Sequence, residues 1–122
     1  MPEVVYNSEV DSPRCNFGRL LEDYRRRTWV QERRRWMTER DLEVWLRQVN
    51  YPIADGLISK YELGQRTPPP AIFYYLGVCL ALPQEKELAL INAHLKDEEL
   101  KFWRAYRDVL KRHDQDPPIA DT

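Results

Sequence analysis

Residues 67–82, TPPPAIFYYLGVCLAL, carry no charge, in a 122-residue chain of which 32% is Asp, Glu, Lys or Arg. Pro68, Pro69 and Pro70 stiffen its entry, and Pro70 suits the first position of a helix, where its missing N–H has no partner to lose. Ile72, Phe73, Leu76, Val78, Leu80 and Leu82 then surround a helical axis on nearly every side. The segment therefore predicts a helix through Leu82, buried at the centre of the fold. Such a helix needs others to cover it. With 43% hydrophobic residues the chain can supply one modest core, and no apolar run approaches the length of a membrane span.

The covering elements also read as helices. Phe17, Leu20, Leu21 and Tyr24 stand at i, i+3, i+4 and i+7, with Asn16 placed as N-cap. Thr38 is placed to cap a second helix, with Asp41 three residues on and Leu42, Trp45, Leu46 and Val49 along one face. A third helix over Gly56–Leu63 follows the turn at Asn50-Tyr51-Pro52, with Asp55 as its cap and Gly64 as its C′ residue. A fifth helix opens at Pro83 and its pattern runs to His113, although Lys96–Glu99 can interrupt it and Asp97 can cap a new start. No strand-like alternation stands out. The expected fold is all-α: a five-helix bundle with a C-terminal helical extension.

Charge is unevenly placed. Residues 1–13 sum to −3, residues 14–66 to +4 and residues 83–122 to −2, within a net charge of −1. A local basic face is thus compatible with a near-neutral chain. Cys15 and Cys79 make no disulfide framework, and the first residues lack the basic start and apolar core of a secretory signal, so a cytoplasmic location is expected. His94 and His113 stand nineteen residues apart without metal-ligand spacing, and no Ser/His/Asp set or Gly-rich phosphate loop is visible. Neither a metal, a cofactor nor an enzymatic activity is expected.

The segment richest in functional information is Ile58-Ser59-Lys60-Tyr61-Glu62-Leu63-Gly64-Gln65-Arg66-Thr67-Pro68. Helical spacing turns Ile58 and Tyr61 inward and Ser59 and Lys60 outward. The string resembles the Ile-Ser-x-x-Glu-x-Gly-x-Arg-x-Pro signature of the Cro/C1-type (XRE) helix-turn-helix family, and the resemblance spans roughly Asn16 to Leu95. It implies a lambda-repressor-like bundle whose third helix lies in the major groove of duplex DNA and whose second helix points its N-terminus at a phosphate. It further implies that Ser59 and Lys60 face the groove, that Gln65 and Arg66 meet the backbone just beyond, that Thr38, Arg40 and Asn50 flank the second helix at the DNA, and that Glu62 is structural.

Two stretches depart from that pattern. An insertion between Tyr24-Arg25 and Thr38 holds Arg25, Arg26, Arg27, Arg33, Arg34 and Arg35, interleaved with Trp29 and Trp36. Guanidinium groups suit phosphates, and Arg33, Arg34 and Arg35 are expected to add salt-dependent affinity. The link between Leu46 and Ile58 is also long, and Asp55 and Gly56 stand where the family commonly places base readers. An alternative follows: a helix-turn-helix scaffold that has lost base readout and serves as a protein-interaction or assembly module.

Leu88, Leu95, Phe102 and Val109 recur every seven residues, and Trp103, Tyr106 and Leu110 lie beside them. Leu95, Phe102, Trp103, Tyr106, Val109 and Leu110 are expected to form a homodimer surface. The expected division is an N-terminal arm over 1–15, the DNA-binding domain over 16–95, the oligomerising extension over 96–113 and a tail over 114–122.

Overall fold

A computed structural model describes residues 15–115. The expected N-terminal arm, up to residue 14, and the tail from residue 116 lie outside the described residues. Five helices form the fold: α1 Asn16–Arg26, α2 Glu39–Gln48, α3 Leu57–Glu62, α4 Ala71–Cys79 and α5 Gln84–Gln115. α1 packs along α5 and against α3, α4 lies between α2 and α5, and α2 meets α3. Phe17, Leu21, Leu42, Leu46, Ile58, Ile72, Leu76 and Leu90 are fully buried between these layers. Each contributes about 1.5–3 kcal/mol by leaving water. Phe17 and Phe73 meet edge-on with ring centroids 5.3 Å apart, and the His94 ring packs against both.

The first insertion is not a loop but a small antiparallel hairpin, β1 Trp29–Val30 and β2 Arg35–Trp36, paired Trp29 with Trp36 and Val30 with Arg35. Two-residue strands are too short to show alternation, so no periodicity announces them. Gln31–Arg34 turn the chain, with Arg34 at a φ of 53°. Val30 and Met37 anchor the hairpin in the core, and the Met37 N–H donates to the Thr28 carbonyl at 2.8 Å.

Several helix ends differ from expectation. Cys15, not Asn16, is the N-cap of α1, its Sγ accepting from the Gly18 N–H at 3.2 Å. Pro70 stands just outside α4 as its cap, and that helix stops at Cys79 rather than Leu82, with Ala81 turning the chain at a φ of 53°. Nor is α4 buried all round: Tyr74 is 64% and Val78 49% exposed, so one side only faces the core.

α5 runs without interruption, and Asp97 starts no new helix. It caps α1 instead: the Asn16 N–H donates to its Oδ1 at 2.8 Å and the Phe17 N–H to its Oδ2 at 2.9 Å. The packed unit therefore reaches Asp97, past the expected boundary at residue 95. The helix includes residues 114 and 115, the first two of the expected tail.

Candidate nucleic-acid interface

α3 has only six residues, too few to hold its own shape in water, so its position depends on neighbours. Ile58 and Tyr61 sink into the core while Ser59 is half-buried and Lys60 exposed. Gly64, at a φ of 77°, closes the helix in the left-handed conformation that a side chain resists. At the other end no side chain of the flanking loop caps it. Gly56 stands at the N-cap, and Asp55, expected there, is paired with the Arg47 guanidinium. Arg47 also donates from Nε and Nη2 to the Ile53 carbonyl at 3.0 and 2.9 Å, which organises the long link between α2 and α3. At the start of α3 the Leu57 N–H donates to the Ala54 carbonyl at 3.2 Å, and the Ile58 N–H is served from α2, where buried Glu43 accepts it at 3.3 Å.

The C-terminal end of α3 is clamped by Arg25. Its Nε donates to Glu62 Oε2 at 2.7 Å and its Nη2 to Glu62 Oε1 at 3.0 Å, both side chains buried. Its Nη1 donates to the Met37 carbonyl at 2.9 Å, so one guanidinium ties α1 to α3 and to the entry of α2. Burial drives the Glu62 carboxyl up to about 7, against the pull of Arg25. Burial also opposes the charge on Arg25, yet the hydrogen bonds and charge of Glu62 hold its pKa above the ordinary value. Gly18 completes the arrangement. A Cβ there would stand 2.7 Å from the Tyr61 carbonyl oxygen and collide with the Glu62 carbonyl, so α1 and α3 touch backbone to backbone.

At the start of α2, Thr38 forms a capping box. Its Oγ1 accepts from the Asp41 N–H at 3.1 Å, and its own N–H donates to Asp41 Oδ2 at 3.0 Å. Arg35 donates to both Asp41 oxygens, at 3.3 and 3.0 Å. Burial alone would raise the Asp41 pKa, but the bonds from Arg35 and Thr38 outweigh it and hold it below the ordinary 3.8. Arg35 is thus a strut joining hairpin to helix. Arg26 and Arg27 are likewise engaged, with Glu22 and Asp23 one helical turn away.

Around α2 the surroundings divide. Glu43 and Arg47 turn toward α3 and its link, whereas Asp41, Val44, Trp45 and Gln48 line a groove of about 230 Å³ beneath Val30, Glu32 and Arg33 of the hairpin. Arg40, one residue from Asp41 and three from Glu43, occupies the exposed strip between these two flanks. Hairpin and α3 therefore border one exposed side of α2. Arg33 and Arg34 at the hairpin turn, Arg40 on α2, Lys60 on α3, and Gln65 and Arg66 after it are all exposed. None of the five cations among them has a salt-bridge partner among the described residues. Asn50, also exposed, leaves α2 at a φ of 67°, a conformation Asn tolerates better than most residues. Trp29 and Trp36 stack edge-on at 5.0 Å in the open, 45% and 56% exposed.

Among the supports, Glu43 and Arg47 were not singled out by their sequence context, Arg25 and Asp97 were read in other roles, and only Glu62 announced its own. Comparison of the chain with protein-family models, with curated proteins and with solved structures found no match.

Proposed function

We propose that the chain is a cytoplasmic transcriptional regulator of the Cro/C1 type that binds duplex DNA through α3, the start of α2 and the hairpin turn. In this reading Ser59 and Lys60 address the major groove, Thr38 and Asn50 flank α2 at the backbone, and Arg33, Arg34, Arg40, Gln65 and Arg66 hold phosphates. The observation that carries it is the set of five exposed cations, without a salt-bridge partner among the described residues, on a short outward-facing helix, the link after it and the two elements beside it. Asp55 has its own cation in Arg47, which offsets the repulsion an unpaired carboxylate would exert on a phosphate.

Selection of duplexes from a random library, followed by titration across salt concentrations, tests the reading. The four arginines among these phosphate contacts give a slope of about −3.6 in log affinity against log salt, since each cation contributes about −0.9 while neutral Gln65 releases no counterion. Arg33→Ala with Arg34→Ala should flatten that slope by about 2, and Lys60→Ala should weaken preference among sequences. Absence of duplex binding at low salt, with a protein partner co-purifying, would refute the reading in favour of the assembly-module alternative.

A further inference from the structure

Beyond Asp97, α5 leaves the body of the protein. Every described side chain from Glu98 to His113 is exposed, so a rod of about 24 Å stands in water, tied to the rest of the fold near its start by the hydrogen bond from Lys101 Nζ to Thr67 Oγ1 at 3.3 Å. One side of this rod is apolar. Phe102, Trp103, Tyr106, Val109 and Leu110 fall at i, i+1, i+4, i+7 and i+8, each between 39% and 60% exposed. Phe102 and Tyr106 stack with parallel rings, 4° apart, and Trp103 meets both edge-on. Leu95, 56% exposed, continues the stripe one heptad earlier. A free helix of this length is marginal in water, and uncovered aromatic rings of this extent favour a partner.

Area and charge say which partner. At roughly 200 Å² for a large side chain, half of it exposed, the five from Phe102 to Leu110 offer roughly 500 Å² per copy, and twice that, roughly 1,000 Å², reaches the least that a biological interface buries. Glu98 and Glu99 stand at the start of the rod, each with an exposed lysine of the same helix beside it (Lys101 at 3.1 Å and Lys96 at 3.8 Å), and Lys111 and Arg112 stand at its end. Laid head to tail on itself about the middle of the apolar segment, Glu98 and Glu99 of one copy come alongside the Lys111–His113 turn of the other. A parallel pair instead sets acid beside acid and base beside base, which is unfavourable at such flanking positions. We infer that residues 98–113 of α5 pair antiparallel with the same segment of a second copy, with the two-fold axis close to Tyr106. The pair forms without DNA, so it stands or falls separately from the proposed function.

Sedimentation equilibrium of the full chain without nucleic acid should give a dimer. Phe102→Glu with Leu110→Glu should give a monomer whose thermal unfolding stays cooperative, because both side chains are exposed and neither belongs to the buried core. Orientation is read by disulfide trapping in a Cys15→Ser background. An equimolar mixture of Glu99→Cys and His113→Cys chains should yield a cross-linked dimer of one chain of each kind, while Glu99→Cys alone should not cross-link. Cross-linking of Glu99→Cys alone would overturn the antiparallel arrangement. A wild-type monomer at all concentrations would overturn the pairing, and adsorption of that monomer to anionic phospholipid vesicles would assign the face to a membrane surface instead.

Discussion

Asp97 is the residue on which the docking of α1 against α5 most visibly depends, and removing its carboxylate has a calculable cost. Its two oxygens accept from the Asn16 and Phe17 N–H groups at 2.8 and 2.9 Å, at the positive end of the α1 dipole. Hydrogen bonds to a charged group contribute about 1.5–3 kcal/mol each. In Asp97→Ala, water can reach half-buried Asn16, but Phe17 is 1% exposed and its N–H would be left unpaired. The expected loss is about 3 kcal/mol, or a fall of roughly 15 °C in Tm for a body of this size. Asp97→Asn keeps one acceptor oxygen and turns an NH2 group toward the second N–H, so about half that loss is expected. Asp108→Ala, on the exposed part of the same helix, should stay within about 0.5 kcal/mol of wild type. Urea denaturation followed by circular dichroism gives all three values. If Asp97→Ala matched Asp108→Ala, the long-range cap would not be holding the two helices together.

Gly18→Ala should cost more than about 3 kcal/mol or prevent folding, since the new methyl meets backbone rather than a movable side chain; denaturation or loss of soluble expression would report it. Stability should also depend on pH through Glu62. Its folded pKa, about 7, lies above the ordinary 4.5, so the native state binds the extra proton. That contribution is fully present below pH 4.5 and is lost as pH rises through about 7, and Glu62→Gln should flatten this part of a stability-versus-pH curve. Asp41 has the opposite sign: its lowered pKa stabilises above 3.8, and that contribution disappears as pH falls below it. Thr38→Ala, which opens the same capping box, should cost about 1 kcal/mol in urea titrations.

The amino-acid order alone carried the helical periods, the cap at Thr38, the stop at Gly64, and the inward and outward faces of α3. These depend on neighbours within a turn or two, where spacing and residue chemistry suffice. The same reasoning recognised Asp97 as a capping residue but gave it the wrong helix, and it did not foresee the tie between Arg35 and Asp41. Asp97 serves a helix that begins 81 residues earlier, and Arg35 serves Asp41 across a hairpin whose strands are two residues long. Of the candidate interface, the exposed cations were legible because charge seeks water whatever the fold. Which of them are left unpaired was settled by tertiary packing. A hydrogen bond is decided by distances of a few ångströms, and between remote segments those distances come into being only when the chain has closed around its core.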